Sequence, residues 1–174
     1  WMSNGKKAGT TLIKDIKLTG AIDVDRGISN PVEFAEVNGI IFFSAASAGQ
    51  GRELWRTDGT ASGTALVADL FPGINPSTDD PYGSNPEELT NVKGKLFFRA
   101  DSASGLELWV SNGTAAGTFM LKDILPGSAN ANRKYLTNVN GTLIFVASSP
   151  AEGKELWKSN GKTAGTVLVR DIKS

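Results

Sequence analysis

The sequence predicts an all-β fold: a partial β-propeller of about three and a half four-stranded antiparallel blades. Three observations predict it. Four tryptophans, Trp1, Trp55, Trp109 and Trp157, recur at intervals of 54, 54 and 48 residues, and each opens the same phrase, from WMSNGKKAGTTLIKDI to WKSNGKTAGTVLVRDI. Short apolar runs place hydrophobic residues at consecutive positions, as in Ile40-Ile41-Phe42-Phe43 and Leu96-Phe97-Phe98, so both faces of each small sheet are buried. Turn signals punctuate the chain at regular intervals, and no segment sustains a helical period, so almost no helix is expected.

Each unit divides into four strand candidates, a to d. Strand a lies near Phe34–Val37, Leu89–Val92 and Leu136–Val139. Strand b lies near Ile40–Ala45, Lys95–Ala100 and Thr142–Ala147. Strand c is the Glu-Leu-Trp segment, and strand d covers Thr64–Leu70, Thr118–Ile124 and Thr166–Ile172. Asn38-Gly39, Lys93-Gly94 and Asn140-Gly141 sit between a and b, where a two-residue hairpin turn needs positive φ at both positions. Asn4-Gly5, Asp58-Gly59, Asn112-Gly113 and Asn160-Gly161 open a longer c–d loop that ends in a second Gly-Thr. A four-stranded sheet covered on both faces and repeated in series points to stacked blades; a sandwich would show cleaner alternation.

The whole chain, 1–174, reads as one repeat domain: a half blade at 1–16 and blades at 34–70, 89–124 and 136–172. The half blade carries strands c and d without a and b. An open edge and an uncovered apolar face are a liability, so the expected partner is another copy, or the rest of a longer chain of which this is a piece.

Composition narrows the function classes. Eighteen basic and eighteen acidic residues balance, with no basic excess for nucleic acid or for an anionic membrane surface. No apolar run approaches the length of a membrane-spanning helix. The chain has no cysteine and no histidine, which removes disulfides, thiolate chemistry and the commonest general base and zinc ligand. No cofactor is expected. Carboxylates remain for glycoside chemistry, but nearly all belong to the repeat or to turns, so the chain is expected not to be an enzyme.

The candidate binding residues lie in the non-repeating d-to-a connections, roughly Lys17–Glu33, Phe71–Glu88 and Leu125–Tyr135, because variable loops on a regular scaffold carry binding. Tyr82 and Tyr135 are the sugar-contact candidates. The acidic pairs Asp23/Asp25 and Asp79/Asp80 are the candidates for calcium, although each c–d turn has a single Asp or Asn and is no EF-hand. The tryptophans, recurring beside Leu, read as blade core. Glu53, Glu107 and Glu155 read as structural partners for Lys or Arg on adjacent strands.

The phrase from Glu53 to Val67, Glu-Leu-Trp-x-Thr-Asp-Gly-Thr-x-x-Gly-Thr-x-Leu-Val, resembles the bacterial ELWxxDGT repeat, and the resemblance spans nearly the whole chain. It implies a large secreted or surface-exposed protein and says little about activity. Asn4, Asn112 and Asn160 replace the Asp, and Lys6 and Lys162 replace the Thr after the Gly. Any Asp-dependent site is in doubt at those turns. The c–d hairpin is also similar to the Asp-box of propeller sialidases, where the box lies away from the active site, so that similarity concerns fold. The expected function is a non-catalytic structural or adhesive module outside the cell; the alternative is a lectin-like, glycan-binding propeller, and the third reading is a carboxylate glycosidase.

Overall fold

The computed structural model describes residues 1–16, 29–127 and 134–172. They form an all-β structure of three four-stranded antiparallel sheets and one two-stranded sheet. The small sheet pairs β1 (Met2–Ser3) with β2 (Thr10–Thr11). The first full sheet runs β3 (Val32–Val37), β4 (Ile40–Ser47), β5 (Gly51–Thr57), β6 (Ala65–Ala68). The second runs β7 (Glu87–Val92), β8 (Lys95–Ser102), β9 (Gly105–Ser111), β10 (Phe119–Lys122). The third runs β11 (Lys134–Val139), β12 (Thr142–Ser149), β13 (Gly153–Ser159), β14 (Val167–Arg170). In each full sheet spatial order equals chain order, as tight hairpins dictate. Helix is confined, among the described residues, to single 3₁₀ turns at Lys7–Gly9 and Thr163–Gly165.

The a–b turns have the conformation their residues predict. Asn38 and Gly39 have φ of 54° and 81°, and Asn140 and Gly141 have 50° and 79°. Two consecutive positive φ angles match the right-handed twist of the flanking strands. The b–c pairing is the longest and most regular, seven residue pairs in each full sheet, with the tryptophans opposite Phe43, Phe98 and Phe145.

Two departures from the expected strands are each accompanied by a slip in register. Strand a begins earlier than expected, at Val32, Glu87 and Lys134, and its register with strand b slips within the next three residues. Glu33, Glu88 and Tyr135 hold φ near 57°, 56° and 64° at that slip. This is bulge geometry, which bends the strand and re-aims its side chains. Strand d is shorter than expected, and its register with strand c slips around Val67, Leu121 and Val169.

The sheets stack face to face with their a strands adjacent: β3 neighbours β7, and β7 neighbours β11. One apolar cluster joins the first and second sheets through Val37, Phe42, Leu54 and Val67 on one side and Leu96, Phe98 and Ala100 on the other. A second cluster repeats the arrangement one sheet on, with Phe97, Leu108 and Leu121 against Leu143, Phe145 and Trp157. Phe97, Phe98 and Phe145 are fully buried, each contributing roughly 1.5–3 kcal/mol of transfer free energy. A smaller cluster, Phe43, Ala45 and Trp55, covers the first sheet's other face and meets Ile16 from the stretch after β2. The expectation of two buried faces per sheet therefore holds for the middle sheet. No sheet closes on itself among the described residues.

Candidate functional site

The four c–d turns are one device made four times. In the first full sheet the Asp58 carboxylate accepts hydrogen bonds from the backbone N–H and the hydroxyl of Thr60, at 2.9 and 2.7 Å. The Thr60 hydroxyl, chiefly, and then its N–H hold the Asp58 carboxyl below the usual carboxylate range. Asn112 replaces Asp58 one sheet on and accepts the same two bonds from Thr114. Asn4 and Asn160 each accept one, from the N–H of Lys6 and Lys162. Behind each turn a hydroxyl pair ties strand c to strand d: Ser3–Thr10, Thr57–Thr64, Ser111–Thr118 and Ser159–Thr166, at 2.6 to 2.8 Å. An amide performs the carboxylate's task here, so the turn needs an acceptor and no charge.

A buried carboxylate fixes the connection between the first and second sheets. Glu53, fully buried in β5, accepts bonds from the Ser84 N–H at 2.8 Å, the Leu70 N–H at 3.1 Å and the Ser84 hydroxyl. Burial pushes its carboxyl up from 4.5 to about 7; the Ser84 and Leu70 bonds pull the other way, and the nearby Asp69 charge adds to the rise. Glu53 was expected to pair with Lys or Arg on an adjacent strand, but its hydrogen-bond partners here are a loop serine and two backbone amides.

Along the a-strand edge a second polar network links neighbouring sheets. The Glu33 carboxylate accepts the Glu88 N–H at 2.8 Å, and the Glu88 carboxylate accepts the Leu136 N–H at 3.0 Å. The Asn91 side-chain amide donates to the Glu36 carbonyl at 2.8 Å, and the Asn138 amide to the Asn91 carbonyl at 2.9 Å. Arg99, 5% exposed, bridges Glu88 and Glu87 at 2.8 and 3.2 Å.

A groove of about 720 Å³ lies between the β1–β2 hairpin and the first full sheet. Trp1, Leu12, Phe34, Ile41 and Phe43 give it an apolar lining, and Lys14 and Asp58 stand at its border. Lys14 crosses to the first full sheet, donating to the Thr64 carbonyl at 2.7 Å. Trp1 is 79% exposed, against 8% for Trp55 and 7% for Trp157. Trp55 and Trp157 lie opposite Phe43 and Phe145 of strand b, whereas Trp1 has no such strand beside it among the described residues.

The structure does not bring the sequence-predicted binding residues together. Tyr82 stacks on Phe71 with ring centroids 4.4 Å apart and planes nearly parallel, so one of its faces is already used. Tyr135 was placed in a connection; it stands instead in β11 at the bulge, exposed beside the Glu88–Leu136 link. Asp79, at φ 61°, and Asp80 close a small loop through an Ile74–Pro81 bridge, with the Asn75 N–H donating to the Asp80 carbonyl. Asp23 and Asp25 lie outside the described residues. Among the described residues, no group of three or more Asp and Glu is disposed to hold a metal ion. Sequence reasoning missed Glu88, Arg99 and Ser84; the Glu87-Glu88 pair at the start of strand a was the available signal for two of the network's members.

No protein-family model and no curated protein matches the chain. Among solved structures, the chain is similar to the high-resolution structure of an α-L-arabinofuranosidase from Clostridium thermocellum. Identity is 16% and the TM-score 0.36, with 79% of this chain and 49% of that chain covered. The chain thus spans about half of that enzyme's length. The matched structure is that of an enzyme, and the expectation that this chain is not an enzyme is withdrawn. A likeness of this degree assigns no activity to the chain.

Proposed function

We propose that the chain is a run of propeller-type repeats that acts as a structural and adhesive module, stacking onto further repeats of its own kind. One observation carries this reading. Val37, Leu54 and Val67 in the first sheet and Val92, Leu108 and Leu121 in the second are at most 6% exposed, because the next sheet covers them. Their counterparts in the third sheet, Val139, Leu156 and Val169, are 46%, 37% and 46% exposed. The third sheet therefore presents the same apolar face that the first two use to bind a successor. Such a contiguous face marks a contact site.

Light scattering after gel filtration tests the reading. Association should rise with protein concentration, and Val169→Lys should abolish it while leaving the circular dichroism spectrum unchanged. A monomer at every concentration would sink the idea. The ELWxxDGT-like phrases fit this module and favour a secreted or surface location. Tyr135, exposed beside the a-strand network, favours a second reading as a glycan-binding module; a glycan array with and without calcium checks it, with Tyr135→Ala as the control. Hydrolysis of an aryl α-L-arabinofuranoside would replace both readings with an enzymatic one.

A further inference from the structure

We infer that the connection between the first and second full sheets is a proton-dependent latch: it closes on β5 through the neutral acid form of Glu53 and opens locally as that group ionises. The inference does not depend on the stacking reading and uses only groups inside the fold.

The connection docks backbone against backbone. A Cβ on Gly51 would stand 2.4 Å from the Tyr82 carbonyl oxygen, and one on Gly83 would stand 2.5 Å from the Arg52 nitrogen. Glycine at both positions lets the connection lie directly on the start of β5. The Asn85 N–H donates to the Arg52 carbonyl at 3.0 Å, and the Asp101 N–H of β8 donates to the Ser84 carbonyl at 2.6 Å. Glu53 is the side chain that gathers both ends of the segment. It accepts the Leu70 N–H at the beginning, and the Ser84 N–H and hydroxyl near the end.

Its surroundings oppose ionisation while the latch is closed. The side chain is fully buried. From β4 it faces Ala45, which is apolar. From the end of β6 the Asp69 carboxylate acts on it as a like charge. From the connection Ser84 offers hydrogen bonds and no charge. From β8 comes a further acidic group, Asp101, whose carboxylate accepts the Asn85 side-chain amide at 3.4 Å. Arg52, beside Glu53 in β5, donates to the Asn30 and Ser44 carbonyls at 2.9 and 3.3 Å. No Lys or Arg pairs with Glu53 among the described residues. A buried carboxylate without a counter-charge is favoured as the acid, and its anion gains hydration on release. The three donors favour the anion, but burial outweighs them and holds the carboxyl protonated up to about 7. The Ser84 hydroxyl serves either form, donating to the anion or accepting from the acid.

Opening has a defined consequence. Ser84 lies just before β7, and the Glu88 N–H of β7 donates to the Glu33 carboxylate while the Glu88 carboxylate accepts the Leu136 N–H. Release of Ser84 therefore loosens the entry of the strand that joins the first and third sheets' a strands. The junction is firm in acid and loosens towards neutral pH, because opening releases a proton between pH 4.5 and 7.

Hydrogen exchange of the full chain tests this, read residue by residue by NMR from pH 5 to 8.5 and corrected for intrinsic base catalysis. Protection of the Leu70 and Ser84 amides should lie below that of β8 and β9 at every pH. It should fall at least about tenfold between pH 5 and 7 and level off above 7. Glu53→Gln keeps a neutral side chain of the same length and should remove the fall. Protection at Leu70 and Ser84 that does not change with pH overturns the inference. So does protection there equal to that of β8 and β9, which would mean that the connection opens only with the whole fold. So does a pH dependence that survives Glu53→Gln. Asp69→Asn gives the same test without altering Glu53: lifting the like charge should move the levelling-off to lower pH, and a levelling-off that does not move overturns the latch.

Discussion

Glu53 shows how one buried group couples the fold to pH. Its carboxyl titrates near 7 when folded and near 4.5 when free, so the folded chain holds a proton that the unfolded chain has released. The stabilising effect is full below pH 4.5 and is lost as pH rises through 7, a difference of roughly 3 kcal/mol. Urea unfolding of the wild type between pH 5 and 8 should show this decline, and Glu53→Gln should flatten it. The second residue-level prediction concerns Gly117. A Cβ there would stand 2.0 Å from the Asn112 side-chain oxygen, so Gly117→Ala forces the turn open and should cost about 1–3 kcal/mol in the same assay. The glycine was legible because it recurs at Gly9, Gly63, Gly117 and Gly165, though its reason, the Asx side chain lying over it, was not. Glu53's partner was illegible for a different cause: Ser84 lies 31 residues away in a connection with no repeated counterpart. The stacking of Phe71 on Tyr82 was illegible on the same ground, because it forms across a loop that no periodicity describes.

At the level of strands and turns, the hairpins could be read from the residues alone. Asn-Gly encodes the a–b turns, and the paired apolar positions encode strand b. The strand ends could not be read, since the bulges put positive φ on Glu33, Glu88 and Tyr135, residue types that do not signal it. One inter-sheet tie follows the repeat closely enough to be engineered. Lys14 donates to the Thr64 carbonyl, and Lys122 donates to the Thr166 carbonyl at 3.1 Å while lying 5.5 Å over the Trp157 ring. Between the first and second full sheets the same position is Ala68, which cannot reach. Ala68→Lys should link to the Thr118 carbonyl and raise stability by about 1 kcal/mol. An increase in the urea midpoint without a change in slope would show it; an unchanged or lowered midpoint would mean that the tie depends on more than its two ends.

For the molecule as a whole, stability should be graded by how many faces of each sheet are covered. The second sheet lies between two others, and Leu96, Phe97, Phe98 and Leu108 within it are at most 1% exposed. The third sheet has one covered face, and the β1–β2 hairpin, with Trp1 and Met2 exposed, has the least support. Sheets that bury one face only through a neighbour behave as coupled units, with local opening cheapest where neighbours are missing. Amide hydrogen exchange should therefore be slowest in β8 and β9, faster in β12 and β13, and fastest in β1 and β2, which among the described residues pair only with each other. The gradient is a property of incomplete stacking and should respond to completion. Concentrating the chain to the point of association should slow exchange in β14, around Val169. Uniform exchange across all four sheets would mean that the chain folds as one cooperative body in which the exposed face of the third sheet carries no energetic cost, and that face would then have no reason to bind a further repeat.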